Sequence, residues 1–181
     1  IDRTTSTNAK VKAMAAYFAT APHADAAWAV FFLTGRRLKR LIPSAAIRDW
    51  ALAATDVEPW LLEECYAVVG DGAETVALLL DQLPPADAQA GAALAEWVDR
   101  LLALRDTDPG TQQTRVTAWL RSLDRLQRFI LLKLITGEFR VGVSQTLVVR
   151  ALALASNLPA TTIAARLMGD WTPTAEWFAS A

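Results

Sequence analysis

The chain is short of the residue types that mark metalloenzymes and secreted proteins. It has one cysteine (Cys65) and one histidine (His23) in 181 residues. Those two cannot assemble a zinc site of Cys and His ligands, a disulfide framework or a Cys-x-x-Cys redox pair. A Ser-His-Asp triad would depend on His23, which has no supporting motif around it. With no set of nucleophile, base and orienting group to assemble, the composition argues against an independent small-molecule enzyme. Glycine and proline number 8 each, too few for a collagen-like or disordered chain. The longest uninterrupted apolar run, Ala26 to Leu33, is far shorter than the roughly 20 residues that cross a bilayer. Ile1-Asp2-Arg3 is polar and no apolar stretch follows it, so no signal peptide and no membrane partner are expected. Low cysteine usage points to the cytoplasm.

What is abundant is alanine and leucine, 35 and 25 residues, a third of the chain. Both lose little entropy in a helix. Thr5-Ser6-Thr7-Asn8 offers capping side chains ahead of Val11, Met14, Ala15 and Phe18, which recur on one helical face. Asp25 is expected to cap a short apolar helix from Trp28 to Leu33. Ser44 should cap a helix buried through Ile47, Trp50, Ala51 and Ala54. Glu58-Pro59 opens a helix that ends at Gly70, and Asp71 starts the next, with Glu74 three residues on. Leu83 to Asp87 reads as a loop. Helices around 92–104 and 110–122 follow, then one capped by Asp124 and ended by Thr136-Gly137, one capped by Ser144, and one from Pro159 to Met168. The expectation is an all-α, compact bundle of nine or ten short helices spanning 1–170, with 171–181 opening a linker. Trp28, Trp50, Trp97 and Trp119 fall on apolar stripes and are expected to pack. Cys65 reads as a small core side chain, His23 as a turn residue and Glu63-Glu64 as a solvated face.

The net charge is only −1, but it is sorted along the chain. Residues 1–48 sum to +6, 49–114 to −11, 115–150 to +5, and the remainder to −1. Such a protein presents cationic surfaces without being basic overall. The basic blocks also echo each other. Shifted by 102 residues, 28–54 aligns with 130–156, and Thr34/Thr136, Gly35/Gly137, Arg48/Arg150 and three further pairs are identical. Both copies read as apolar helix, Thr-Gly, loop, hydroxyl, helix, which indicates duplicated helix–loop–helix units. Packed about a pseudo-twofold axis, two such units put their loops on one face. Glycine lets backbone N–H groups approach an anion, helix N-termini add donors, and Arg and Lys add charge. That combination suits the spaced phosphates of duplex DNA. No long basic recognition helix or zinc finger is present, so the expected binding is sequence-independent, with the minor groove as a fitting surface.

Four stretches carry a family likeness: Thr4-Thr5-Ser6-Thr7-Asn8-Ala9-Lys10, Phe32-Leu33-Thr34-Gly35-Arg36-Arg37, Val69-Gly70-Asp71-Gly72-Ala73-Glu74-Thr75, and Leu134 to Gln145 with its Gly-x-x-Arg-x-Gly turn. Arg166 to Trp171 adds a fifth. The sequence resembles the N-terminal DNA-binding domain of ATP-dependent DNA ligases, bacterial ones most and archaeal and eukaryotic replicative ligases more distantly. The resemblance implies a helical module on duplex or nicked DNA that contacts phosphates and sugars across the minor groove. It belongs to an enzyme that moves AMP from ATP to a lysine and then to the 5′-phosphate of a nick. By position, Gly35, Arg36 and Arg37 fall on one DNA-facing turn, with Lys39 and Arg40 in the same basic run. Gly137, Arg140 and Gly142, followed by Ser144 and Gln145, fall on its partner. Gly70, Gly72 and Thr75 fall on a third loop, and Thr7, Asn8 and Lys10 at the first helix.

None of Lys10, Lys12, Lys39 or Lys133 begins the family's Lys-x-Asp-Gly motif. The resemblance therefore implies no cofactor in this segment. ATP and Mg2+ go with a nucleotidyltransferase and OB-fold core expected after Ala181, and the domain is expected to act as a monomer. The competing reading of the residues alone is a helical scaffold that binds another protein through the acidic middle, 49–114. Against phosphate contact stand plainer readings: a solvated loop for Arg36 to Arg40, a surface ion pair with Glu138 for Arg140, and plain caps for Asp71 and Ser144.

Overall fold

The computed structural model describes residues 6–82, 91–139 and 142–180. Among them are eleven α-helices, one 3₁₀ turn and no strand. The helices are α1 (Thr7–Thr20), α2 (His23–Leu33), α3 (Ser44–Ala54), α4 (Pro59–Val69), α5 (Gly72–Leu79), α6 (Leu94–Leu102), α7 (Pro109–Ser122), α8 (Arg125–Thr136), α9 (Gln145–Ser156), α10 (Ala160–Met168) and α11 (Ala175–Ser180); the 3₁₀ turn is Leu80–Gln82. The loop expected at Leu83 to Asp87 lies outside the described residues.

Most boundaries follow the capping chemistry. Ser6 accepts from the Ala9 amide, Asp71 from Ala73 and Glu74, and Asp108 from Thr111. Asp124 and Gln127 satisfy each other's backbone amides in a full capping box. Gly70, at φ 76°, ends α4 in the left-handed conformation that glycine adopts without strain.

Three helix N-termini differ from expectation. Helix α2 starts at His23, directly after Pro22, rather than at Trp28. Asp25 is then free of its expected capping role, and its carboxylate instead accepts from the Ala95 amide, 2.8 Å away, in the first turn of α6. Helix α3 starts on Ser44 itself, because Pro43 already fixes the entry angle, and the Ser44 hydroxyl makes no capping bond. Ser144 stands at the N-cap of α9 but likewise makes no side-chain cap.

The chain divides into two compact units. Unit 1 holds described residues 6–37, 93–95 and 142–180; unit 2 holds 38–82, 91–92 and 96–139. In unit 1, α1 and α10 pack on α9, and α2 packs on α11. Its core contains Met14, Phe18, Val30, Val148, Leu152 and Ile163; each such side chain contributes about 1.5–3 kcal/mol by leaving water. Residues 171–180, expected to open a linker, carry Trp171, Trp177 and Phe178 against this core. The two indoles stack face to face with centroids 3.9 Å apart.

In unit 2, α5 packs against α3, α4 and α8, and α3 against α7. Trp97 and Trp119 meet edge to face at 5.5 Å, half-buried rather than enclosed. Arg128 lies within the buried face of α8 and is 4% exposed. Its guanidinium donates to the Leu120 carbonyl at 2.6 Å and pairs with Asp81 at 2.9 Å, so the buried charge is satisfied.

Candidate nucleic-acid interface

The two Thr-Gly segments fold alike down to single hydrogen bonds. Thr34 donates its hydroxyl to Val30 and Phe31 carbonyls, and Thr136 to Leu132 and Lys133 carbonyls. The Gly35 amide donates to Phe32 and the Arg36 amide to Phe31; the Gly137 amide donates to Leu134 and the Glu138 amide to Lys133. Both turns are Schellman caps with glycine in the left-handed region, φ 85° at Gly35 and 69° at Gly137. Each therefore throws the chain sharply off the end of an apolar helix, as duplication requires.

Within unit 2 the second turn lies against the first loop. The Leu41 amide donates to the Ile135 carbonyl at 3.0 Å. A Cβ added at Gly137 would sit 3.0 Å from the Leu38 carbonyl oxygen and 3.4 Å from the Arg40 amide. Glycine is needed there for approach as well as for φ. The contact fixes the backbone of Leu38 to Leu41 and leaves Lys39 and Arg40 exposed beside the Gly137 turn.

The third loop joins them. Gly72 and Ala73 share an open cleft of about 280 Å³ with Thr136, Glu138, Ser44 and Arg48. Lys133 on α8 pairs with Asp71 at 2.5 Å. Burial by itself raises the Asp71 pKa, but the Lys133 hydrogen bond and the Glu74 and Ala73 amides outweigh it and hold the carboxyl below its usual 3.8. Arg48 pairs with Glu63 at 3.2 Å. The cations beside these carboxylates are thus neutralised. Among the described residues Arg37, Lys39 and Arg40 have no carboxylate within salt-bridge distance.

Unit 1 gathers a second set. The Lys10 ammonium donates to the Gly142 carbonyl at 3.2 Å, and the Arg150 guanidinium to Asn8 at 3.2 Å. Phe18 lines one pocket with Leu152 and Ala155 further along, so α1 and α9 run in the same direction. Their N-termini lie at one end, with Thr7, Asn8, Ser144 and Gln145 exposed there. Arg36 is engaged elsewhere: its guanidinium lies 4.2 Å over Trp171 and donates to the Trp171 and Gly169 carbonyls. Gly35 and Arg37 remain exposed.

The sequence-named residues therefore fall into groups. Lys39, Arg40, Gly72 and Gly137 converge in unit 2, where Gly70 ends the helix before the Gly72 loop, while Asn8, Lys10, Gly142, Ser144 and Gln145 converge in unit 1. Thr75 does not join them. It is 2% exposed, and its hydroxyl is satisfied by the Asp71 carbonyl. Arg140 lies outside the described residues. Residue-by-residue reading passed over Arg150 and Lys133 as members of the site. Arg150 had a signal, its identity with Arg48 in the repeat; Lys133 had none, because its partner Asp71 is 62 residues away.

An all-helical domain with paired glycine-hinged, cation-bearing turns is the class that these observations define. A model of the family described as DNA ligase N terminus matches residues 1–153. The chain belongs to that family: it is an N-terminal domain of an ATP-dependent DNA ligase. A search of curated proteins returned no match.

Proposed function

We propose that this domain grips duplex or nicked DNA through its phosphates and minor groove, without reading sequence, and so holds a ligase on the single-strand break that it seals. The observation that carries the reading is the backbone contact of the Gly137 turn with Leu38 to Arg40, which sets two unpaired cations beside a cleft with the Gly72 loop. Exposed Lys and Arg side chains with no carboxylate partner suit phosphate oxygens. Family membership supplies DNA and the catalytic core of the ligase as the partners such a surface would serve.

Adenylation belongs to that core in this reading, with ATP and Mg2+ bound there, since no lysine of this chain begins Lys-x-Asp-Gly. Nick sealing in replication, repair or recombination, in the bacterial cytoplasm and by a monomer, completes the assignment. No helix among the described residues is long and apolar enough to cross a membrane.

Fluorescence anisotropy with two nicked duplexes of unrelated sequence tests it. Equal affinities at low salt are expected, because phosphate contacts carry no sequence information. A preference of more than about tenfold for one sequence, or no binding to either, overturns the reading.

A further inference from the structure

The face of unit 2 formed by α4 and α5 is built differently. Of the residues of α4 only Leu62 is buried. Val68 is 86% and Trp60 65% exposed, and Leu61 and Leu78 also face water. Glu64, Cys65 and Val68 of α4 and Leu78 and Leu79 of α5 line an open groove of about 470 Å³. Trp60 and Leu61 continue the same face one turn earlier. Contiguous exposed apolar surface of this kind marks a docking site. It uses another face of α5 from Gly72, Ala73 and Val76, which line the cleft described above.

Charge decides the occupant. From Asp49 to Asp99 the sequence has eleven carboxylates and no Lys or Arg. Glu64 lines the groove, Glu58 precedes α4 and Glu74 stands on α5 one turn before Leu78; all three are exposed and form no ion pair among the described residues. DNA is repelled by such a rim. A second copy of the chain would oppose acid with acid. We propose that the α4–α5 groove receives a basic amphipathic helix of a partner protein, with its apolar stripe on Val68, Leu78 and Trp60 and its lysines or arginines against the carboxylates.

Cys65, the single thiol of the chain, reports on the groove directly. The probe is a synthetic Leu/Lys peptide of about 14 residues, four helical turns, with leucines at i, i+3, i+4 and i+7. A shuffled peptide of the same composition is the control. The helical peptide is expected to slow Cys65 modification by a thiol reagent about tenfold, and the shuffled one to leave it unchanged. Val68→Ser with Leu78→Ser, both at exposed positions, should weaken binding of the labelled peptide about tenfold while affinity for a nicked duplex stays within twofold. Three results overturn the proposal: no slowing up to about 1 mM peptide, equal slowing by the shuffled peptide, or a thiol shielded by rising protein concentration alone, which would put a second copy in the groove. The duplex measurement keeps failure of this proposal distinct from failure of the DNA-binding reading.

Discussion

Substituting alanine for each hinge glycine separates conformation from crowding. Gly35 and Gly137 share the left-handed conformation, φ 85° and 69°, which costs an L side chain roughly 1–2 kcal/mol. Around Gly35 nothing lies within 4 Å of an added Cβ, so Gly35→Ala should cost that amount and no more. At Gly137 the Cβ meets the Leu38 carbonyl oxygen at 3.0 Å. That strand of backbone is tied down by the Leu41 to Ile135 hydrogen bond and cannot swing away as a side chain would. Overpacking adds about 1–3 kcal/mol, bringing Gly137→Ala to a total of about 2–5. Urea unfolding followed by circular dichroism, with the m-value unchanged, reads the difference. Because Leu38 to Arg40 must shift, Gly137→Ala should also weaken DNA binding more than Gly35→Ala does. Equal losses of stability in the two variants would refute the claim that the Gly137 turn is pressed against the backbone of Leu38 to Arg40.

Other perturbations probe other parts of the account. Arg36→Ala removes the stack on Trp171 and two carbonyl bonds and should cost about 1–2 kcal/mol of stability; Arg37→Ala should leave urea unfolding within about 0.5 kcal/mol and reduce the salt slope of DNA binding by about 1. Asp71→Asn should cost about 1–2 kcal/mol near neutral pH, through loss of the Lys133 pair. Because the folded pKa of Asp71 is lowered from 3.8, that contribution is complete above the unfolded value and lost as the pH falls through the folded one, so wild type and variant should converge only in acid, in urea titrations carried below about pH 4. Arg128→Met leaves the buried Leu120 carbonyl without its donor, whereas Asp81 is partly exposed and keeps Arg125 at 3.7 Å; the loss should be about 1–3 kcal/mol, read by thermal unfolding.

Local chemistry made much of the fold legible. Asp108-Pro109, Asp124 with Gln127, Gly70 and the two Thr-Gly turns each specify a helix end within a few residues, and the 102-residue echo relates turns that prove to share the same capping hydrogen bonds. What local pattern cannot encode is a partner far along the chain. Asp25 serves the amide of Ala95 rather than its own helix, and Arg36 is held by Trp171. Thr75 follows Gly70 and Gly72, which the family resemblance assigns to a loop toward DNA, yet α5 turns it inward, where the Asp71 carbonyl satisfies its hydroxyl. Arg128 sits on the buried face of α8 because Asp81, 47 residues away in sequence, and the Leu120 carbonyl meet its guanidinium. Trp177 and Phe178 follow a proline and read as a tail, although their rings find the core of unit 1. The candidate site divides the same way: the glycines and the basic run were plain, whereas the neutralising roles of Lys133 and Arg48 depend on tertiary pairs.

The most direct test is the salt dependence of binding to a nicked duplex. If about five phosphates are neutralised, log K should fall against log salt with a slope of about −4 to −5. Alanine at Arg37, Lys39 and Arg40 together should flatten it by about 3 on duplexes of any sequence. A slope near zero, or one that the triple variant leaves unchanged, would contradict the account.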